Sequence, residues 1–162
     1  MMISVGTRLP DAQLILVNDE GQEFISLAKR LKDNKVALFA MPGAFTGTCD
    51  SAHLPNVIAN SSALIQKGIQ EIIVLCVNDA FVLRTWARLS GAFSEGITML
   101  ADSSGDFTKS VKMEFDVPFL GLHKRSKRYA LLLEDGVVKV FLPEESRGAI
   151  TTSGANHLLS KI

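Results

Sequence analysis

The arrangement in this sequence with the clearest capacity for chemistry is a cysteine placed where a strand gives way to a helix. Cys49 lies near the end of the stretch Pro42-Gly43-Ala44-Phe45-Thr46-Gly47-Thr48-Cys49-Asp50, which follows the apolar run Val36 to Met41. That run is short and rich in strand formers, whereas the residues from Asp50 onward take a helical spacing that directs Leu54, Val57, Ile58 and Ile65 to one side. At such a junction a thiol meets unpaired backbone N–H groups and the positive end of a helix dipole, a setting that favours the nucleophilic thiolate.

Other residues near this cysteine could share in its chemistry. Thr46 precedes it by three positions, close enough in a tight first turn for a hydroxyl to contact both sulfur and substrate, but threonine is equally a helix cap. Pro42 has no N–H and would either wall a pocket or simply end the strand. His53 lies four residues beyond Cys49 on the same helical face. A cysteine–histidine dyad needs a third group to orient the base, and no such group is identifiable, so His53 is read as a neighbour of the site rather than its base. The basic run Lys124-Arg125-Ser126-Lys127-Arg128 leads into the apolar segment Tyr129–Leu133, and taken alone reads as solvated surface.

Pro42-x3-Thr46-x2-Cys49 resembles the active-site signature of the peroxiredoxins, and Pro-Gly-Ala-Phe-Thr in that frame is similar to their atypical type II, peroxiredoxin-5-like branch. The likeness continues through Val77-Asn78-Asp79-Ala80-Phe81-Val82, Gly105-Asp106-Phe107-Thr108-Lys109 and Lys127-Arg128-Tyr129, and so spans nearly the whole chain. One departure lies within the motif: the family usually carries proline where this chain has Gly47, which leaves the loop less pre-organised but removes no reactive group. The resemblance implies a thiol peroxidase acting on hydrogen peroxide and small organic hydroperoxides through a Cys49 sulfenic acid, with Cys49, Thr46, Pro42 and Arg128 as its catalytic set. It implies that Arg128 reaches the sulfur while Arg125 stays on the surface, and that the protein is a homodimer paired around the active-site loop, with Phe45 and Phe81 as candidate contacts. A redox-responsive binding protein switched by Cys49 oxidation is the competing class; it would need the thiol but not the full set of leaving-group stabilisers.

At 162 residues, 47% hydrophobic and 21% charged, the chain has the size and composition of a single globular domain, residues 1–162. Seventeen basic and seventeen acidic residues cancel, so no global field draws it to nucleic acid or an anionic membrane. Two distant cysteines provide neither a disulfide framework nor a thiolate metal site, and with no phosphate-binding glycine loop no cofactor is expected. The expected setting is the reducing cytoplasm. The terminal Ser160-Lys161-Ile162 is one residue from a peroxisomal address, and an organellar transit peptide removed beforehand would leave no trace.

These functional residues need a scaffold. Ala12–Val17 and Gln22–Ile25 flank a turn and read as a hairpin, after which Ser26 caps a short helix. Ile72–Val77, almost unbroken in its apolarity, reads as a parallel strand covered on both faces. Asn78-Asp79 caps a helix carrying Val82, Trp86 and Leu89, with Trp86 read as core. Ile97–Leu100 is a further strand, Phe107–Met113 a short helix, Tyr129–Leu133 and Val137–Leu142 a hairpin across Glu134-Asp135-Gly136, and Ala155–Ile162 a closing helix. The alternation is that of an α/β layered sheet. The resemblance makes it a thioredoxin-like fold with an N-terminal extension and an insertion, in which Thr46 stands where a thioredoxin has the first cysteine of Cys-x-x-Cys.

The resemblance also frames the question of what regenerates Cys49. Many type II relatives carry a second cysteine near the C-terminus, but Gly148–Gly154 contains only threonine and serine there. Cys76, inside an apolar strand, is read as structural. The expectation is a one-cysteine cycle completed by an external thiol, either glutathione with glutaredoxin or thioredoxin.

Overall fold

A computed structural model describes residues 1–162. The N-terminal hairpin forms as β1 (Gln13–Val17) and β2 (Gln22–Ser26), and the Ser26 hydroxyl accepts from the N–H of Lys29 to start α1 (Leu27–Leu31). Then come β3 (Lys35–Met41), a single wide π turn (Cys49–His53), α2 (Leu54–Gln66), β4 (Glu71–Cys76), α3 (Ala80–Ser90), β5 (Thr98–Ala101) and α4 (Asp106–Ser110). A small hairpin, β6 (Glu114–Val117) and β7 (Leu122–Ser126), precedes β8 (Tyr129–Glu134), β9 (Val137–Pro143) and α5 (Ala155–Leu159).

Seven strands form one sheet in the order β2-β1-β5-β4-β3-β8-β9, with β6 and β7 apart from it. The three central strands β3, β4 and β5 are parallel, joined through α2 and α3, while β1 and β8 run antiparallel to their neighbours. Beyond their first residues, Lys35, Glu71 and Thr98, these central strands are apolar throughout because both faces are covered. Ala37, Phe39 and Met41 join Val74, Cys76 and the helices α2, α3 and α5 on one face; Val36, Leu38 and Ala40 join Ile73, Leu75 and Phe107 on the other. The first of these layers contains Cys49.

Two helical faces differ from expectation. In α2 the buried stripe is Leu54, Val57, Ser61 and Leu64, so Ile65 falls one position beyond it and is exposed. In α3 the buried residues are Ala80, Leu83, Trp86 and Ala87, an i, i+3, i+6, i+7 stripe against which Val82 packs half-buried, while Leu89 falls outside it and is 75% exposed. Trp86 is buried as core, and its indole N–H donates to Asp50 Oδ1 at 2.8 Å while its ring meets Phe45 at 6.3 Å.

The basic run before β8 also differs. Leu122–Ser126 is a strand, paired with β6 so that Phe115 faces Arg125 in register, and this hairpin carries Arg125 inward.

Candidate active site

The loop leaving β3 turns sharply. Thr46 N–H donates to Gly43 O at 3.3 Å, and Phe45 takes φ +60°, a left-handed conformation uncommon for an aromatic residue. A side chain at Gly43 would collide with the Arg125 guanidinium and crowd Asn78 Oδ1, so glycine permits the close approach of both. Asn78 accepts from Ala44 N–H at 2.9 Å, and Arg125 Nη1 donates to Pro42 O at 3.1 Å. The sequence reading left Arg125 on the surface; it is half-buried and holds the loop. The capping role read for Asn78-Asp79 belongs to Asp79, which accepts from Val82 N–H, while Asn78 is turned back to the loop.

Thr46 donates its hydroxyl to Gly43 O at 2.6 Å. Its single proton is therefore directed at the loop carbonyl instead of the sulfur, while the oxygen keeps lone pairs that can accept.

Cys49 opens the π turn, in which Leu54 N–H bonds back to Cys49 O. Pro55 supplies a reason for the wide geometry: proline has no N–H, and its ring clashes with the carbonyl four residues earlier in a regular α-helix. The turn sets Cys49 and His53 against one guanidinium. Arg128 Nη2 lies 3.2 Å from Cys49 Sγ, and Arg128 Nη1 donates to His53 Nδ1 at 2.8 Å. All three side chains are buried.

His53 thereby has a defined tautomer. Arg128 can only donate, so Nδ1 is an acceptor and the proton sits on Nε2, which donates to Ser153 O at 3.0 Å. Burial first, and the Arg128 charge second, lower its pKa to about 4. A neutral histidine whose only lone pair is taken by arginine is no base for the thiol. It orients Arg128 instead, a partnership 75 residues apart in sequence. Arg147 O completes the fixing, accepting from Nη2 at 3.0 Å and Nε at 3.3 Å.

A cavity of about 160 Å³ opens beside these groups, lined by Pro42, Thr46, Arg128 and Arg147 together with Leu120 and Leu122 of the small hairpin. Of the four residues singled out as catalytic, Pro42, Thr46 and Arg128 line this cavity and the fourth, Cys49, is in contact with Arg128. No group of three or more histidine, cysteine or acidic side chains is placed to hold a metal. Cys76 is fully buried on the Cys49 side of the sheet, and its thiol pKa is pushed strongly upward by burial and then by the charge of Cys49.

The redoxin family profile matches residues 4–159. Peroxiredoxin-2E-2, chloroplastic, of Oryza sativa subsp. japonica is 41% identical over 99% of this chain and 72% of its own length. This chain belongs to the peroxiredoxins. Among solved peroxiredoxins it is similar to the reduced Prx3 of Vibrio vulnificus in complex with hydrogen peroxide, at 38% identity and TM-score 0.91 over 99% of each chain. Peroxiredoxin 5 of Alvinella pompejana is 26% identical at TM-score 0.83, covering 98% of this chain and 96% of that one. The thioredoxin-like α/β fold expected from the sequence is the one these peroxiredoxins share. The protein is accordingly a thiol peroxidase, an enzyme that reduces peroxides at the expense of thiols.

Proposed function

We propose that Cys49 is the thiol that attacks peroxide, that Arg128 and Thr46 hold the substrate and that Pro42 walls the pocket. The observation that carries this reading is the 3.2 Å approach of Arg128 Nη2 to Cys49 Sγ beside a small cavity. The guanidinium stands against the sulfur and offers donors to the peroxide oxygens. Thr46, its own proton engaged with Gly43, accepts the substrate O–H. Sulfur attacks one oxygen; the S–O bond forms as the O–O bond breaks, and the leaving oxygen departs with the electron pair and takes a proton to become water or alcohol. Cys49 is left two electrons oxidised, as sulfenic acid. Hydrogen peroxide fits the cavity, and the Leu120 and Leu122 wall accommodates the alkyl part of small organic hydroperoxides.

The motif frame and the likeness to a peroxiredoxin 5 support assignment to the type II branch. A one-cysteine cycle with glutathione and glutaredoxin, or thioredoxin, as donor follows from the burial of Cys76 in β4. Cys76→Ser is expected to retain steady-state turnover with an external donor, and mass analysis after one equivalent of peroxide and donor should find a mixed disulfide on Cys49. An intramolecular Cys49–Cys76 disulfide formed at the rate of turnover, with activity lost in the variant, would overturn the one-cysteine cycle.

A homodimer is proposed across the face bearing Phe45 and Phe81, 48% and 67% exposed, and the depression between Trp86, Ile58 and Leu89. Light scattering at micromolar concentration is expected to give twice the 17.6 kDa chain mass; the mass of one chain would remove the proposal. Cys49 chemistry of this kind requires a reducing compartment, for which the cytoplasm is proposed. No helix is long and apolar enough to cross a membrane.

A further inference from the structure

The segment between β9 and α5 places two backbone carbonyls on the groups that surround sulfur. Arg147 O accepts from Arg128, and Ser153 O accepts from His53. One carboxylate gathers this segment. Glu144 Oε1 accepts from Thr152 N–H at 2.7 Å, Ser153 N–H at 2.8 Å and the Ser153 hydroxyl at 3.0 Å, while Oε2 accepts from the Thr151 hydroxyl at 2.9 Å. The Glu144 N–H also donates to Arg128 O at 3.0 Å, so the same residue is tied to the arginine's backbone.

We propose that Glu144 is a positioning residue for the peroxidase reaction: its carboxylate folds the 144–153 segment so that Arg147 O and Ser153 O aim Arg128 at Cys49. The inference rests on the reading of Cys49 and Arg128 as the reacting pair. A continuous hydrogen-bonded chain connects the two ends. Glu144 holds Ser153, whose carbonyl holds His53 Nε2–H, whose Nδ1 holds Arg128 Nη1, whose Nη2 reaches Cys49 Sγ. Remove the carboxylate and the N–H groups of Thr152 and Ser153 lose their acceptor, which leaves the segment free to take its two carbonyls elsewhere.

The charges around Glu144 are Arg128 and His53 on the sulfur side, and Lys127, Arg147, Glu145 and Asp116 around the groove of about 270 Å³ outside it. Burial alone would raise the Glu144 pKa, but the N–H groups of Ser153 and Thr152 outweigh it and hold the carboxyl below its ordinary range. The sign follows. A carboxylate depressed in the folded state contributes its stabilisation above its unfolded pKa and loses it as pH falls through the folded one, so the clamp is closed at neutral pH.

The test follows Cys49 oxidation by hydrogen peroxide in the full chain, by quenched thiol labelling between pH 4.5 and 8, for wild type and the variants Glu144→Ala, Glu144→Gln and Glu144→Asp. Glu144→Ala is expected to slow oxidation roughly ten- to hundredfold at pH 7, the scale of a misaimed reacting group. Glu144→Gln keeps an acceptor for the two N–H groups and should restore most of the neutral-pH rate. Should the alanine variant not fold, Glu144→Asp carries the test: it keeps the charge but draws it back by one methylene, and should show the same slowing. A lower melting temperature with unchanged rate and unchanged profile in the Ala or Asp variant would make Glu144 merely structural and overturn the proposal. Wild type that is inert to peroxide would instead sink the assignment of Cys49.

Discussion

Cys49→Ser is expected to bring peroxide turnover down to the uncatalysed background while leaving the fold in place. Serine keeps the shape of the side chain, which is 1% exposed within the layer formed by Phe39, Leu54 and Trp86, so packing changes little. What disappears is the sulfur, the atom that can attack the peroxide bond and accept an oxygen; a hydroxyl at this position does neither. The comparison requires initial rates with a thiol donor in excess and a circular-dichroism spectrum of each protein. A folded serine variant that consumed peroxide at the wild-type rate would remove Cys49 from the mechanism.

Arg128→Met should give the next largest effect. Methionine keeps the unbranched apolar stem of arginine but takes away the charged donor at 3.2 Å from sulfur and leaves His53 Nδ1 without its partner. A hydrogen bond to a charged group is worth about 1.5–3 kcal/mol, which corresponds to roughly ten- to hundredfold in the rate of Cys49 oxidation. Arg125→Met is expected to lose less, because that guanidinium holds the Pro42 carbonyl and not the sulfur. Second-order rates with hydrogen peroxide for both variants settle the ranking; equal losses, or a greater loss at Arg125, would mean that the cation serving sulfur has been misassigned.

The parts legible in the sequence were those in which local pattern and final environment agree. Unbroken apolar runs marked β3 and β4 because both faces of the sheet are covered, and the junction after β3 marked Cys49 as the thiol at a helix start. Arg128 was legible through the family pattern of an arginine just before β8. The remainder depends on contacts between distant segments. Arg125 lies in a basic run that gives no sign of burial until β6 pairs with β7 and carries it over Gly43. His53 was legible as a neighbour of the site and not its base, but the partner it holds, an arginine 75 residues away, was not. Backbone carbonyls such as Arg147 O and Ser153 O leave no residue-type signature at all, whereas the acid that organises them, Glu144, is conspicuous only in its hydrogen bonds. Leu89 misled for another reason: the buried face of α3 runs through Ala80, Leu83, Trp86 and Ala87, and Leu89 lies two residues beyond its end on the solvent side.

Trp86 is the chain's single tryptophan, and its indole N–H bonds to Asp50, the residue that follows Cys49. The protein therefore contains one indole, connected by a hydrogen bond to the turn that Cys49 opens. Any displacement of that turn as the sulfur changes oxidation state alters the polarity and hydrogen bonding felt by the indole, and with them its emission. Selective excitation of tryptophan would report such a displacement from a single indole, with no dye and no coupled enzyme.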